Sequence, residues 1–224
     1  MKKLLLASII SGLASVAAAD SFQDFNNNLY AQYQYTGNNG AQPATDLSQW
    51  GIGGTFQSKN NVWLNANAVA GDNNGNNSSN LNFAVGYAFQ FFGDENQGFQ
   101  VIPHLNFGTQ SVTYANSNDT TNPTPAGTNY SYGVGVKPEY RLLNSLKVAV
   151  DLNLLGTQSS VNGDSTQIFA FEVTPGIQYD ISKTVMLGLD YSYIANFNNN
   201  STNNNNKYNQ TQKQSYTTQL KFQC

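Results

Sequence analysis

A stretch of strict two-residue alternation, residues 130 to 155, limits the folds open to this chain more than any other feature. From 130 to 142 the even positions carry Tyr, Val, Pro and Leu, while the odd positions carry Ser, Gly, Lys, Glu and Arg. After a break at 143–145 the alternation resumes and runs to Leu154 with apolar side chains again on even positions. Alternation of this length predicts two antiparallel strands joined by a tight turn.

The faces of this predicted hairpin differ sharply in chemistry. Opposed residues must share a face, so the most natural register sets Leu142 against Leu146 and Lys137 against Asp151. One face is then apolar and aromatic, while the other is small or charged, with its charges within reach across the strands. A membrane β-barrel needs this combination, because its outside meets lipid and its lumen is polar.

The N-terminus has the three-part pattern of a secretory signal peptide. Lys2 and Lys3 precede an apolar run at 4–16, and Ala17 and Ala19 are the small residues of a cleavage site. The alternative is an N-terminal membrane anchor, but the run is short for a spanning helix. We therefore predict a signal peptide over 1–19, removed after Ala19, and a single barrel domain over 20–224.

Composition excludes several other classes of protein. Charged residues make up 10% of the chain, whereas a soluble domain typically carries about 25%. No basic cluster suggests nucleic acid, and Cys224 is the only cysteine, so no disulfide can form within the chain. Beyond the leader no apolar run approaches the length of a spanning helix, so a membrane protein with this sequence must span as a closed sheet.

Ten segments alternate in this way, and their connections are short and long by turns. The long connections include 71–80, 116–128, 156–165 and the Asn-rich tract 196–212. This pattern predicts a closed, antiparallel, up-and-down transmembrane β-barrel of about ten strands, with eight as the alternative and the long loops extracellular. The segments are 29–35, 50–56, 62–70, 81–91, 99–107, 130–142, 146–154, 169–180, 185–193 and 216–222.

Soluble barrels and sandwiches also alternate, so the less apolar face must decide between them and a membrane barrel. A face in water would carry many Lys and Glu, whereas here it carries glycine and alanine at positions such as 51, 53, 84, 86, 133, 135 and 188. Small residues suit a crowded lumen. Aromatic residues also fall near both ends of the segments, as in the girdles of membrane barrels.

The leader, the alternating segments and the terminal strand together resemble the small bacterial outer-membrane β-barrel superfamily, in the broad OmpA/OmpW-like and opacity-protein-like sense. The resemblance covers the whole mature chain and is architectural. It implies a last strand that ends in an aromatic residue and serves as an assembly signal. Tyr216, Leu220 and Phe222 match that alternation, but Cys224 holds the final position and departs from the pattern.

The candidate site is a set of polar residues predicted to face the lumen. Buried charges are tolerated when they are paired, so one interpretation is a charge network that fills the barrel. The other is a narrow pore whose fixed charges select ions. The set comprises Lys137, Glu139, Arg141, Lys147, Asp151, Glu172, Asp180, Asp190, Lys221 and His104.

His104 is the only histidine, and we interpret it as a packed or pore-lining residue and not as a catalytic base. The sequence therefore predicts no enzymatic activity, no catalytic residues, no cofactor and no metal site.

The predicted function is that of a cell outer-membrane protein of a Gram-negative-type envelope, structural or porin-like, with at most a narrow pore for small solutes or ions. The alternative is a surface adhesin whose Asn-rich loops bind a host or phage ligand. Expected partners are membrane lipid, lipopolysaccharide and the outer-membrane assembly machinery during insertion, with no nucleic acid.

Overall fold

A computed structural model describes residues 21–38, 47–73, 76–93, 97–113, 126–161, 164–182, 184–197 and 213–223. The predicted signal peptide, Cys224 and most of the Asn-rich tract lie outside these ranges. Among the described residues, no helix is long and apolar enough to cross a membrane. The elements are α1 (Ser21–Asn26), β1 (Asn28–Asn38), β2 (Leu47–Gln57), β3 (Val62–Asn73), β4 (Asn76–Tyr87), β5 (Phe89–Gly93), β6 (Gly98–Thr113), β7 (Ala126–Leu143), β8 (Leu146–Val161), β9 (Asp164–Asp180), β10 (Val185–Asn196) and β11 (Lys213–Gln223).

The strands form one closed antiparallel sheet. Strands adjacent in the chain pair with each other, except that β4 and β5 both pair with β6, and β1 pairs with β11. The short β5 continues β4 beyond a break at Ala88, because both pair with β6 in one register, at Gly86 with His104 and at Phe89 with Val101. The wall is therefore a ten-stranded up-and-down barrel, which confirms the predicted fold and excludes the eight-stranded alternative.

The alternation of the sequence maps onto the outside and the inside of the barrel. Phe83, Val150 and Leu189 are exposed on the outer surface, and Val134 at the middle of β7 is 54% exposed. Glu139, on the other face of the same strand, is 0% exposed. The apolar side chains therefore cover the outside, where hydrocarbon can solvate them, and the polar side chains fill the middle.

The predicted hairpin register is right along the strands but wrong at the turn. Val136 pairs with Leu152 and Glu139 with Ala149, which is the register that sets Lys137 opposite Asp151. At the turn, however, Leu143 rather than Leu142 pairs with Leu146, after a register shift that follows Arg141. A bulge places two residues opposite one, and here both leucines face outward.

A second bulge has the same effect at the same end of the barrel. The register between β5 and β6 shifts between Gln90 and Phe92, and Phe91 and Phe92 are both exposed. The predicted alternation over 81–91 holds for Phe89 and Phe91, which are both exposed, and the register shifts only after Gln90. In both bulges the extra residue lets two consecutive apolar side chains point into the surroundings of the barrel.

Two of the predicted long loops are strands instead. Asn73 pairs with Asn76, and Val161 pairs with Asp164, so residues 71–73, 76–80, 156–161 and 164–165 belong to paired strands. Strands β6 to β9 reach 16, 18, 16 and 17 residues, whereas about 9–11 residues cross a membrane. These strands are therefore longer than a membrane crossing requires, and the extra residues lie on one side, called here the loop end, opposite the turn end that carries the link at 144–145.

Inward glycines make room for large side chains that lie across them. The ring of Tyr30 covers Gly53, where an added Cβ would overlap the ring atoms. Gly135 lies under the imidazole of His104 and the amide of Asn153, and an added Cβ would overlap both. These contacts explain why the lumen face of the sequence is rich in glycine.

A lysine on the outer surface tests whether that surface lies in hydrocarbon. Val134→Lys should destabilise the barrel in lipid bilayers by about 2–4 kcal/mol, because a cation at mid-membrane must be buried in hydrocarbon. Folding titrations with urea in lipid vesicles measure this difference. The control Asn144→Lys, at an exposed turn position, should change stability little. Equal stability of the two variants would place the outer surface in water.

Candidate functional site

The turn end of the lumen contains helix α1. The sequence pattern predicts only a short polar lead-in over 20–28, whereas in the structure residues 21–26 form a helix that packs inside the barrel. Phe22 and Phe25 are each 2% exposed. The guanidinium carbon of Arg141 lies 5.8 Å from the centre of the Phe22 ring, and Lys147 Nζ lies 5.7 Å from that of Phe25. Cations over aromatic faces are attracted to them, so both rings are held by basic side chains of the wall.

Glu139 is the centre of the polar contacts at this end. Its Oε1 accepts hydrogen bonds from Lys137 Nζ and Lys147 Nζ, each at 3.1 Å. Its Oε2 accepts from Gln100 Nε2 at 2.7 Å and from Asn26 Nδ2 at 2.9 Å. An ionised carboxylate has about four acceptor positions, so these four donors satisfy the buried group. We call Glu139 and these four partners the hub.

The hub ties the helix to several strands. Asn26 Nδ2 also donates to Gln57 Oε1 at 2.7 Å, and Asn26 Oδ1 accepts from Lys147 Nζ at 2.6 Å. The backbone N–H of Gln57 donates to Asn27 Oδ1 at 2.7 Å, and the side-chain amides of Gln57 and Gln100 bond to each other at 3.2 Å. Helix α1 is thereby fixed to β2, β7 and β8 directly and to β6 through the amides.

His104 lies deeper in the lumen and is buried. Its Nε2 is 3.0 Å from Asn153 Oδ1 and 3.4 Å from Asp151 Oδ1, and its Nδ1 is 3.0 Å from the carbonyl oxygen of Ile102. The imidazole packs against Trp63, with ring centres 5.5 Å apart. The partners of His104 thus come from β3, β6 and β8. They are one aromatic ring and three oxygen atoms, which belong to a carbonyl, an amide and a carboxylate group.

A cavity of about 170 Å³ lies next to the hub. Strands from most of the barrel contribute to its wall, and its lining combines three lysines, two aspartates, amides and two aromatic rings. The lining residues used below are Tyr30, Trp63, Lys137, Asp151, Asp190, Gln219 and Lys221.

All ten residues of the predicted site lie in the described ranges, and none of the ten is exposed. Three of the ten, Lys137, Glu139 and Lys147, belong to the hub, whose other two members are amide side chains. His104, Asp151 and Glu172 gather around Asn153, whose Nδ2 is 3.4 Å from Glu172 Oε2. Asp190 and Lys221 line the cavity, while Arg141 and Asp180 lie near the turns, where Arg141 donates to the carbonyl of Gln97 at 3.4 Å.

Sequence reasoning missed the neutral members of the site. Gln57 and Gln100 occupy inward positions of β2 and β6, so the alternation alone could have placed them in the lumen. Asn26 carries no such signal, because it lies in a short polar segment before the first strand. Its role depends on where the helix packs.

No family model matches the sequence, and no curated protein matches it. The structure is similar to the transport unit of the autotransporter AIDA-I from Escherichia coli, with a TM-score of 0.54 and 12% identity, covering 98% of this chain and 97% of that one. It is also similar to the outer membrane protease OmpT from Escherichia coli, with a TM-score of 0.50 and 8% identity, covering 95% of this chain and 100% of that one. At such identities the likeness shows the fold alone, which is that of outer-membrane β-barrels.

Removing the charge of the hub should destabilise the protein strongly. Glu139→Gln leaves Lys137 and Lys147 without their shared counter-ion, and breaking a buried ion pair from one side costs about 3–5 kcal/mol. Urea unfolding of the barrel in detergent or vesicles measures the loss.

The matched control is Glu172→Gln, at a half-buried carboxylate that makes no ion pair within the described part of the chain. Glu172→Gln should lower the free energy of unfolding much less than Glu139→Gln does. The double variant Glu139→Gln/Lys147→Met should recover part of the stability, because it removes one of the two uncompensated cations. If Glu139→Gln and Glu172→Gln are equally stable, the hub does not hold the structure together.

Proposed function

We propose that this protein is an outer-membrane β-barrel of a Gram-negative-type envelope whose own helix α1 closes the turn end of the lumen. It acts as a structural barrel and passes at most small solutes or ions. The observation that carries this proposal is the burial of α1 inside the barrel, with Asn26 bonded to the Glu139 carboxylate.

The outer surface supports the membrane location. Aromatic side chains pair on the outside near both ends of the wall, as Phe91 and Phe92 with Phe99 at the turn end and Tyr191 with Tyr216 nearer the loop end. Two aromatic belts with an apolar band between them match the two interfaces of a bilayer. Lipid and lipopolysaccharide would contact this surface, and the turn end would face the periplasm.

The contents of the lumen favour a closed barrel over an open pore. A ten-stranded barrel is only slightly wider than the eight-stranded size that side chains fill. Here Phe22, Phe25 and Asn26 add the bulk of a helix to that space, and the four donors on Glu139 hold it there. A solute would have to break this network to cross the turn end.

The contacts of His104 favour a role in packing over one in catalysis. A catalytic base must be accessible to its substrate, whereas His104 is buried and both ring nitrogens lie close to oxygens of Ile102, Asn153 and Asp151. We therefore propose a protein without enzymatic activity.

The alternative function, an adhesin acting through the Asn-rich tract, depends on residues that lie outside the described ranges. In two other segments predicted to be surface loops, 71–80 and 156–165, the described residues belong to paired strands. The adhesin hypothesis stays a prediction.

Conductance measurements test whether α1 closes the barrel. In planar bilayers the unmodified protein should show little or no steady single-channel current. The variant Phe22→Ala/Phe25→Ala/Asn26→Ala should open discrete channels, because it removes the two buried rings and the amide that bonds the helix to the hub.

The control for this experiment is Phe91→Ala/Phe92→Ala, which removes two aromatic rings from the outside of the same end. It should leave the barrel closed. Circular dichroism should show the same strand content in all three proteins. A steady current through the unmodified protein as large as that through the triple variant would contradict closure by the helix.

A further inference from the structure

The cavity beside the hub is lined by buried polar groups that the protein itself leaves unsatisfied. The Lys221 residue is 7% exposed, its ammonium lies 5.5 Å from the centre of the Tyr30 ring, and it forms no ion pair with any described residue. The indole N–H of Trp63 and the amide oxygen of Gln219 are also buried without a hydrogen-bond partner within the described structure. Such groups are rare in folded proteins, and a ligand or ordered water normally accounts for them.

Negative charge lines the same cavity. The carboxylate of Asp190 lies over Gly176, where an added Cβ would overlap it, and it forms no ion pair within the described ranges. Asp151 Oδ1, although 3.4 Å from His104 Nε2, is buried without a hydrogen-bond partner in the described structure. Lys221 and these carboxylates thus line one cavity without forming an ion pair with one another.

The other two lysines of the cavity are already committed. Lys137 and Lys147 share the carboxylate of Glu139. The charged groups of the lining outside the hub are therefore the Lys221 ammonium and the carboxylates of Asp190 and Asp151. A buried charge is costly until an opposite charge and hydrogen bonds compensate it.

We infer that this cavity is a binding site for a small zwitterionic solute, the chemical class of free amino acids. The carboxylate of the solute would pair with Lys221 and accept the Trp63 indole N–H. Its ammonium would pair with Asp190 and donate to Asp151 or to the amide oxygen of Gln219. An anion alone would leave Asp190 uncompensated, a cation alone would leave Lys221 uncompensated, and an uncharged sugar would neutralise neither.

The size of the cavity agrees with this class. A volume of about 170 Å³ holds several water molecules but is below the size of the pockets that take drug-sized ligands. Such a site suits a solute with a small side chain. Helix α1 bounds the lumen at the turn end, so the solute would enter from the loop end, and binding does not require the barrel to conduct.

Fluorescence of Trp63 provides a direct test, since the chain has two tryptophans and Trp50 lies on the outside, 70% exposed. In the Trp50→Phe protein, folded in detergent micelles, Trp63 is the only indole. Titration with L-alanine should change its emission saturably. Propionate and ethylammonium, which are alanine without its amine and without its carboxylate, should bind at least roughly thirtyfold more weakly, and glycerol should not bind measurably.

Two variants of the cavity and one control complete the experiment. Lys221→Met and Asp190→Asn should each weaken L-alanine binding by roughly thirtyfold or more, measured by isothermal titration calorimetry. Without ligand, Lys221→Met should resist urea at least as well as the parent, because it removes an uncompensated buried cation. Lys59→Met, at an exposed turn, should change neither binding nor stability.

The alternatives give different results in the same titrations. The absence of saturable binding of L-alanine to the parent protein by either method would show that the cavity holds only water, and would overturn the proposal. Binding of propionate or ethylammonium as tight as that of L-alanine would overturn the zwitterionic class. A large loss of stability in ligand-free Lys221→Met would show that Lys221 serves the fold and would also overturn it. None of these results depends on the conductance that tests closure by α1.

Discussion

In a barrel whose apolar side chains face outward, the polar groups in the middle must be satisfied by one another. The apolar outer face offers them no hydrogen bonds, and the closed sheet encloses them. Glu139 shows how the chain meets this demand, with four donors from one helix and three strands around one carboxylate. The inward glycines follow from the same constraint, because long polar side chains can meet only where neighbouring positions are empty.

The packing of helix α1 follows from that demand as well. A short helix has little stability of its own, so residues 21–26 depend on the burial of Phe22 and Phe25 and on the bonds of Asn26. In return the helix supplies a donor that Glu139 would otherwise lack. The two features stabilise each other, and together they fill the turn end of the lumen where an open channel would have to pass.

The contrast between the hub and the neighbouring cavity connects stability with function. In the hub both lysines contact the carboxylate of Glu139, whereas Lys221 and Asp190 face a cavity without an ion pair among the described residues. The fold does not explain this difference, since barrels of the same architecture include a transport unit and a protease. The function of a protein with such a fold depends on the residues of its binding or active site and not on the strands that form the barrel wall. Uncompensated charge in a small cavity is therefore the feature of this barrel that most resembles a binding site.

Turn chemistry and bulges show where sequence reasoning reached its limit. The hairpins that replace two predicted loops leave Asn74-Gly75 and Asn162-Gly163 between their strands. Asn-Gly is a strong signal for a two-residue hairpin connection, and the general richness in asparagine obscured it. The bulges after Arg141 and Gln90 have no comparable signal in the sequence. Each depends on the pairing of two strands near their ends.

The sequence alone determined the wall of this protein, because the two-residue period of a strand decides which side chains share a face. Alternation was enough to place Val134 outside, Glu139 inside and Lys137 opposite Asp151. Only the tertiary structure decided what meets inside the wall. Asn26 lies 113 residues from Glu139 and 121 from Lys147 in the chain, and they touch because the sheet closes around the helix. Contacts across a lumen depend on that closure, which no local pattern encodes.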